Sequence, residues 1–137
     1  MAKRMKDIEF HLKRNYSGNI FPLDNLWIGV TAENQKQYDL RWSIASQIPA
    51  AVLWVSHEPA LGPIDYSKHE RKPDWWVTGG ESGPGARPMH PDIPRFQRDQ
   101  CQSAGVPFFM KQMSGKTKAE RYAIPDDLMR RDYPSQT

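Results

Sequence analysis

Four short apolar runs punctuate the chain: Leu26-Trp27-Ile28-Gly29-Val30, Ala51-Val52-Leu53-Trp54-Val55, Trp75-Trp76-Val77 and Val106-Pro107-Phe108-Phe109-Met110. None alternates cleanly between apolar and polar positions. That pattern predicts strands of a parallel sheet covered on both faces rather than half-solvated antiparallel strands. Helical spacing lies between them, in Tyr38, Trp42, Ala45 and Ile48 and again in Ile93, Phe96, Cys101 and Ala104. Pro91 and Pro94 suit a first helical turn, and Gly105 suits a helix stop. Met5, Ile8 and Leu12 predict a short basic helix at the start, ended by Ser17-Gly18. The predicted order is α-β-α-β-loop-β-α-β, an α/β domain over residues 1–113. An irregular tail, 114–137, is expected to pack on it or extend from it. His57 to Asp74 holds three prolines and one glycine without helical period, and is expected to be a long functional loop or an exposed linker.

At 137 residues and 15.8 kDa the chain holds one domain with a real core, and a mean hydropathy of -0.77 leaves a polar surface. Nineteen basic and sixteen acidic residues give +3, which permits nucleic-acid contact without requiring it. Cys101 is the single cysteine, which excludes an intrachain disulfide and a cysteine-built metal cluster. Met1 to Lys6 is charged and has no apolar stretch behind it, and no run reaches membrane-spanning length. A cytoplasmic protein without membrane association is expected, and the Asn15-Tyr16-Ser17 sequon then has no meaning.

The third apolar run leads into Gly79-Gly80-Glu81-Ser82-Gly83-Pro84-Gly85-Ala86-Arg87-Pro88-Met89-His90-Pro91, a polar loop carrying four glycines. A strand feeding a glycine loop feeding a helix is how α/β proteins build ligand sites at strand carboxyl ends. Main-chain amides from Gly79 to Gly85, the fork of Arg87 and the next helix's amino end are expected to form an anion-binding concavity. Glu81 repels a simple phosphate and suits an amino or hydroxyl group instead. Polar residues follow the other runs as well: Thr31, Glu33 and Asn34; Ser56, His57 and Glu58; Lys111 and Gln112. Parallel strands bring all of these to one rim, although each alone is more often a cap or a surface charge. A metal site from Glu33, His57, Glu81 and His90 is geometrically conceivable there, but such residues are usually ordinary polar groups. Sharper motifs fail. Ser114-Gly115-Lys116-Thr117 has Met110 where a phosphate-binding loop needs its first glycine, and Ser82 lacks nucleophile-elbow spacing. Lys111 is better read as half of an ion pair with a glutamate than as an amine catalyst.

Six segments in matching order resemble a family of phage and prophage proteins of unassigned function with a radical-SAM-like barrel. They are Leu26 to Gln35, Ser56 to Asp65, the glycine loop from Trp75 to Pro91, Asp99-Gln100-Cys101, Ala104 to Gln112, and Ile124 to Met129. The resemblance implies that residues 1–113 form βα units like the carboxyl half of a TIM-like, radical-SAM-type barrel. It implies that the family's cysteine cluster is missing here, so no iron-sulfur cluster and no reductive cleavage of adenosylmethionine is expected of this chain alone. Adenosylmethionine remains a ligand that the resemblance allows. Glu33, Glu58, Gly79, Gly80, Glu81, Ser82, Arg87, His90 and Lys111 are the candidate ligand-binding residues; no catalytic residue is assigned.

Two readings follow. In one, the chain is a half-barrel that binds a ligand or partner without chemistry of its own, as one part of a split enzyme or its remnant. In the other, it is a phage-borne interaction factor that binds a host or defence protein and uses no small ligand. A lone parallel sheet has two open edges, and five tryptophans enlarge the apolar surface to be hidden. A homodimer or a heteromeric partner is therefore expected.

Overall fold

The computed structural model describes residues 25–135, together with Asp7 and Phe10; the helix expected around Met5, Ile8 and Leu12 lies outside the described residues. Strands β1 (Trp27–Thr31), β2 (Val52–His57), β3 (Trp75–Gly79) and β4 (Phe108–Gln112) form one sheet in the order β1-β2-β3-β4. All three pairings are parallel, as the unbroken apolar runs predict. Helix α1 (Gln35–Ala45) joins β1 to β2, and α2 (Asp92–Ala104) joins β3 to β4. No helix among the described residues is long and apolar enough to cross a membrane.

Local chemistry sets the helix ends. The Asn34 side chain accepts from Gln37 N at 3.2 Å and so caps one of the orphan amides opening α1. Gly105 closes α2 at φ 68°, a left-handed conformation that a side chain would strain. Tyr38, Trp42, Ala45 and Ile48 are fully buried, as their spacing predicts. The stripe on α2 differs from expectation. Pro94, Gln97 and Cys101 face inward while Phe96 is exposed, because a buried glutamine is needed to hold the neighbouring loop.

That loop, 58–74, is neither an exposed linker nor free. It takes the place of a crossover helix. Ala60, Ile64 and Tyr66 are buried in the core, and three glutamines supply the hydrogen bonds that a helix would have made internally. Gln97 Oε1 accepts from Ile64 N, Gln100 bonds Tyr66 N and Ile64 O, and Gln35 brackets Asp65 N and O, all between 2.7 and 3.1 Å.

The tail is more ordered than its sequence suggests. A short helix α3 (Lys118–Tyr122) carries a capping box between Thr117 and Glu120, and a 3₁₀ turn (Asp126–Leu128) buries Leu128. Arg130 to Asp132 then pairs antiparallel with β4: Met110 N donates to Arg130 O and Asp132 N to Phe108 O. The β4 edge is therefore occupied, which corrects the expectation of two open edges.

Among the described residues, the helices and the loop 58–74 bury their apolar side chains on one face of the sheet. Alternate residues Val30, Leu53, Val55, Trp76, Phe108 and Met110 join the buried cluster with Tyr38, Trp42, Tyr66 and Cys101. Their neighbours Trp27, Trp54, Trp75 and Phe109 point the other way by strand alternation and lie outside that cluster.

Candidate functional site

The strand carboxyl ends do converge. A register shift between Thr78 and Gly79 leaves Gly79 opposite Gln112 and skips Lys111. That irregularity lets two successive side chains of β4 reach one carboxylate, a common use of a bulge. Lys111 Nζ donates to Glu58 Oε2 at 2.7 Å, and Gln112 Nε2 to Glu58 Oε1 at 3.4 Å and to Gly80 O at 3.0 Å. Glu58 itself lies across Gly79. A Cβ at Gly79 would stand 3.1 Å from the carboxylate carbon, so the glycine makes room for the acid. Strands β2, β3 and β4 thus share one polar cluster. Lys111 makes an ion pair with a glutamate, the reading preferred for it on chemical grounds.

At the β1 end, Arg41 from α1 donates to both oxygens of Glu33 and to the Thr31 carbonyl. Glu81 takes Arg87 bidentately, Nε to Oε2 at 2.7 Å and Nη2 to Oε1 at 2.8 Å, and accepts from Arg87 N as well. The guanidinium holds the Glu81 carboxyl down at about 2, and Arg87 also feels the charge of Glu33 across the rim. Each rim carboxylate therefore has a cation of its own.

The anion concavity expected of the glycine loop does not form. Gly80 N donates to Gln112 O, Gly83 N to Gly115 O, Glu81 N to Ser114 Oγ and Arg87 N to Glu81. The loop is stitched to the first tail segment, with Ser82 bridged to Gly115. Gly80 is required for that seam. A Cβ there would sit 2.2 Å from Ser114 N, a clash with backbone rather than with any approaching ligand. The fork of Arg87 is filled by Glu81.

His90 is exposed, with its Nδ1 3.4 Å from an Asp92 carboxylate oxygen. His57 is fully buried on the helix-covered face, edge-on to Trp76 with ring centroids 5.8 Å apart. Burial pushes its imidazole down to about 4, so it is neutral near pH 7. No three His, Cys, Asp or Glu side chains come together to hold a metal ion among the described residues. Cys101 is buried beside Tyr66, and burial pushes its thiol up to about 12.

The feature that strand-by-strand reading missed is the sheet's other face. Trp75 sits at its centre, 6.0 Å from Trp27, 5.4 Å from Trp54, 6.0 Å from Phe109 and 5.4 Å from Tyr133 between ring centroids. Gly29 lets the indole of Trp54 lie over β1, since a Cβ at that position would be 2.5 Å from two ring carbons. Trp27 is 38% exposed and Tyr133 62%. Toward the strand carboxyl ends the same face turns polar, through Thr31, Ser56, Gly79 and Lys111. The sequence signal was present in the β1–β3 tryptophans at alternate-face positions, visible only once the register is known. Arg41 was missed too, being marked by nothing but its place on the helix after β1; Gln112 was placed at the rim but not among the candidate ligand-binding residues.

A family model described as Protein of unknown function (DUF5131) matches residues 1–133. Neither the curated proteins nor the solved structures contain a match to the chain.

Proposed function

The chain belongs to the DUF5131 family of proteins of unknown function, and we propose that it acts as a half-barrel binding module that performs no chemistry alone. One observation carries this reading: α1, the loop 58–74 and α2 all bury their apolar residues on one face of a sheet whose strands follow in sequential order. In a βα barrel each new strand is added on the same side and the helices stay outside, whereas a doubly wound sheet reverses order to cover both faces. The open face corresponds to a barrel interior. This supports the derivation from a radical-SAM-like barrel of the phage and prophage type suggested by the strand-end motifs.

The open face, aromatic over Trp27, Trp54, Trp75 and Phe109 with the Arg131 guanidinium 5.8 Å from the Phe109 ring, has the character of a protein interface core, where aromatic residues and arginine concentrate. Nucleic-acid contact is permitted by the net charge of +3 but not required, and the rim's own cations Arg41, Arg87 and Lys111 are paired with acids. The partner in this reading is a second copy of the chain. The rim then forms the ligand end of the assembly, where paired charges of both signs suit a small molecule with amino or hydroxyl groups.

Neither cofactor of the resembled family fits the residues present. An iron-sulfur cluster needs several thiolates, and the single thiol is buried and held protonated. The carboxylate of adenosylmethionine would meet Arg87 and loop amides that already have partners. Among the described residues the rim acids Glu33, Glu58 and Glu81 are each paired with a cation, and His57, at the end of β2, is buried on the core side.

A photo-crosslinking residue placed at Trp27 tests the reading, with the same residue at exposed Phe96 on α2 as control. Chain-to-chain adducts from position 27 and none from 96 are expected. Equal yields, or none from either, would overturn it.

A further inference from the structure

The sheet is guarded along β4 by residues 130–132. Outward-facing groups of β4 are taken by Arg130 O, at 2.8 Å from Met110 N, and by Asp132 N, at 3.0 Å from Phe108 O. Phe109 and Arg131 form the antiparallel bridge between them. The protected stretch, Phe108-Phe109-Met110, is uncharged and rich in strand-forming side chains, the kind of edge that pairs with any strand offered. Lys111, the residue that could discourage such pairing, is engaged by Glu58.

The guarding segment holds lightly. Beyond its two backbone bonds, Asp132 O accepts from Trp75 Nε1 at 2.9 Å, and Tyr133 lies 5.4 Å from both Trp75 and Phe109. The Arg131 guanidinium stands 5.8 Å over the Phe109 ring, and Tyr133 itself is more than half exposed. The tail is fastened separately just upstream. Leu128 is buried, and Asp127 takes Arg95 at 2.9 Å and Arg98 at 2.9 Å. Lifting residues 130–133 leaves that anchor in place.

We infer that residues 130–133 are a guard strand, and that the occupant they exclude is the β4 strand of a second copy. Direction carries the argument. The guard runs antiparallel to β4, and a second β4 related by a twofold axis also runs antiparallel, presenting its N–H and C=O groups to the same partners. The inference concerns the backbone edge of β4, although Asp132 O and Tyr133 also touch Trp75 on the aromatic face.

Two variants test it. Asp132→Pro removes the N–H donated to Phe108 O, and a chain ending at Met129 removes the guard while keeping Asp127 and Leu128. Sedimentation equilibrium over a concentration series should give both twice the mass of the unmodified protein. In the doubled species the Met110 amide should stay protected from hydrogen exchange, because it donates across the new pair. Either variant keeping the unmodified mass at every concentration would overturn the inference, as would a doubled mass in which the Met110 amide exchanges freely. Failure of both variants to fold would also overturn it, since the segment would then be part of the fold rather than its guard.

Discussion

Gly29→Ala should destabilise this protein, although the same change in an ordinary strand would help it. Alanine restricts the unfolded chain, and a strand-interior glycine is worse than alanine by roughly 0.5–1 kcal/mol. Here the added methyl would lie 2.5 Å from Cε2 and Cζ2 of Trp54 and 2.9 Å from its Nε1. Ordinary carbon contacts need about 3.5–4.0 Å, so the indole must move by about 1 Å or swing off the sheet. Overpacking of this kind costs about 1–3 kcal/mol. Loss of the Trp54–Trp75 contact, now 5.4 Å between centroids, adds roughly 0.5–1.5 kcal/mol. The expected net loss is about 1–3 kcal/mol, or roughly 3–5 °C of Tm for each kcal/mol at this chain length. Denaturant melts followed by far-UV circular dichroism measure it. In a Trp54→Val background the clash disappears, and Gly29→Ala should become neutral or stabilising, a coupling of at least about 1 kcal/mol. A stabilising Gly29→Ala in the unmodified protein would refute the flat-lying indole and with it the platform on the open face.

Other outcomes follow from the buried and paired groups. His57, held at about 4 when folded against an ordinary 6.5, binds its proton more readily in the unfolded chain. Stability should therefore be full above about pH 6.5 and fall on the order of 3 kcal/mol as pH drops to 4, a slope that His57→Gln should flatten in pH-dependent urea melts. Glu81 should titrate near 2 by carboxyl NMR shifts, and Arg87→Ala should return it to the ordinary glutamate range because the guanidinium is the main cause of the depression. A value unmoved by Arg87→Ala would mean that the bidentate pair does not form. Cys101 should resist alkylation in the folded protein and react only on unfolding, since its thiol is buried and pushed up to about 12. Rapid native labelling would contradict the core position.

Much of the fold was legible because parallel strands and amphipathic helices write their periods directly. Trp27 to Val30, Val52 to Val55 and Trp75 to Val77 are strands, and Gly105 stops its helix at a positive φ. What failed has a physical cause in each case. The loop 58–74 carries no helical period, yet is covered because three distant glutamines supply its hydrogen bonds; glutamines on helices give no local hint of that use. Gln97 displaces Phe96 from the inner stripe for the same reason. The rim assembled from Glu58, Gly79 and Lys111 could be foreseen from strand ends alone. The state of the glycine loop could not, because its amides are taken by Ser114 and Gly115, residues that read as an irregular tail. The aromatic face was hidden by the expectation that both faces are covered, which uninterrupted apolar runs suggest whether or not a second layer belongs to the same chain.

The central claim is that the face around Trp27 and Trp75 is completed by a second copy. Sedimentation equilibrium of the unmodified protein and of Trp27→Lys measures this most directly, because a charge at that partly exposed position disturbs the interface more than the fold. The account predicts a mass rising toward twice the 15.8 kDa chain for the unmodified protein and a single chain for Trp27→Lys, with both melting as folded proteins. A single chain for both at every concentration, or the same doubled mass for both, would contradict it.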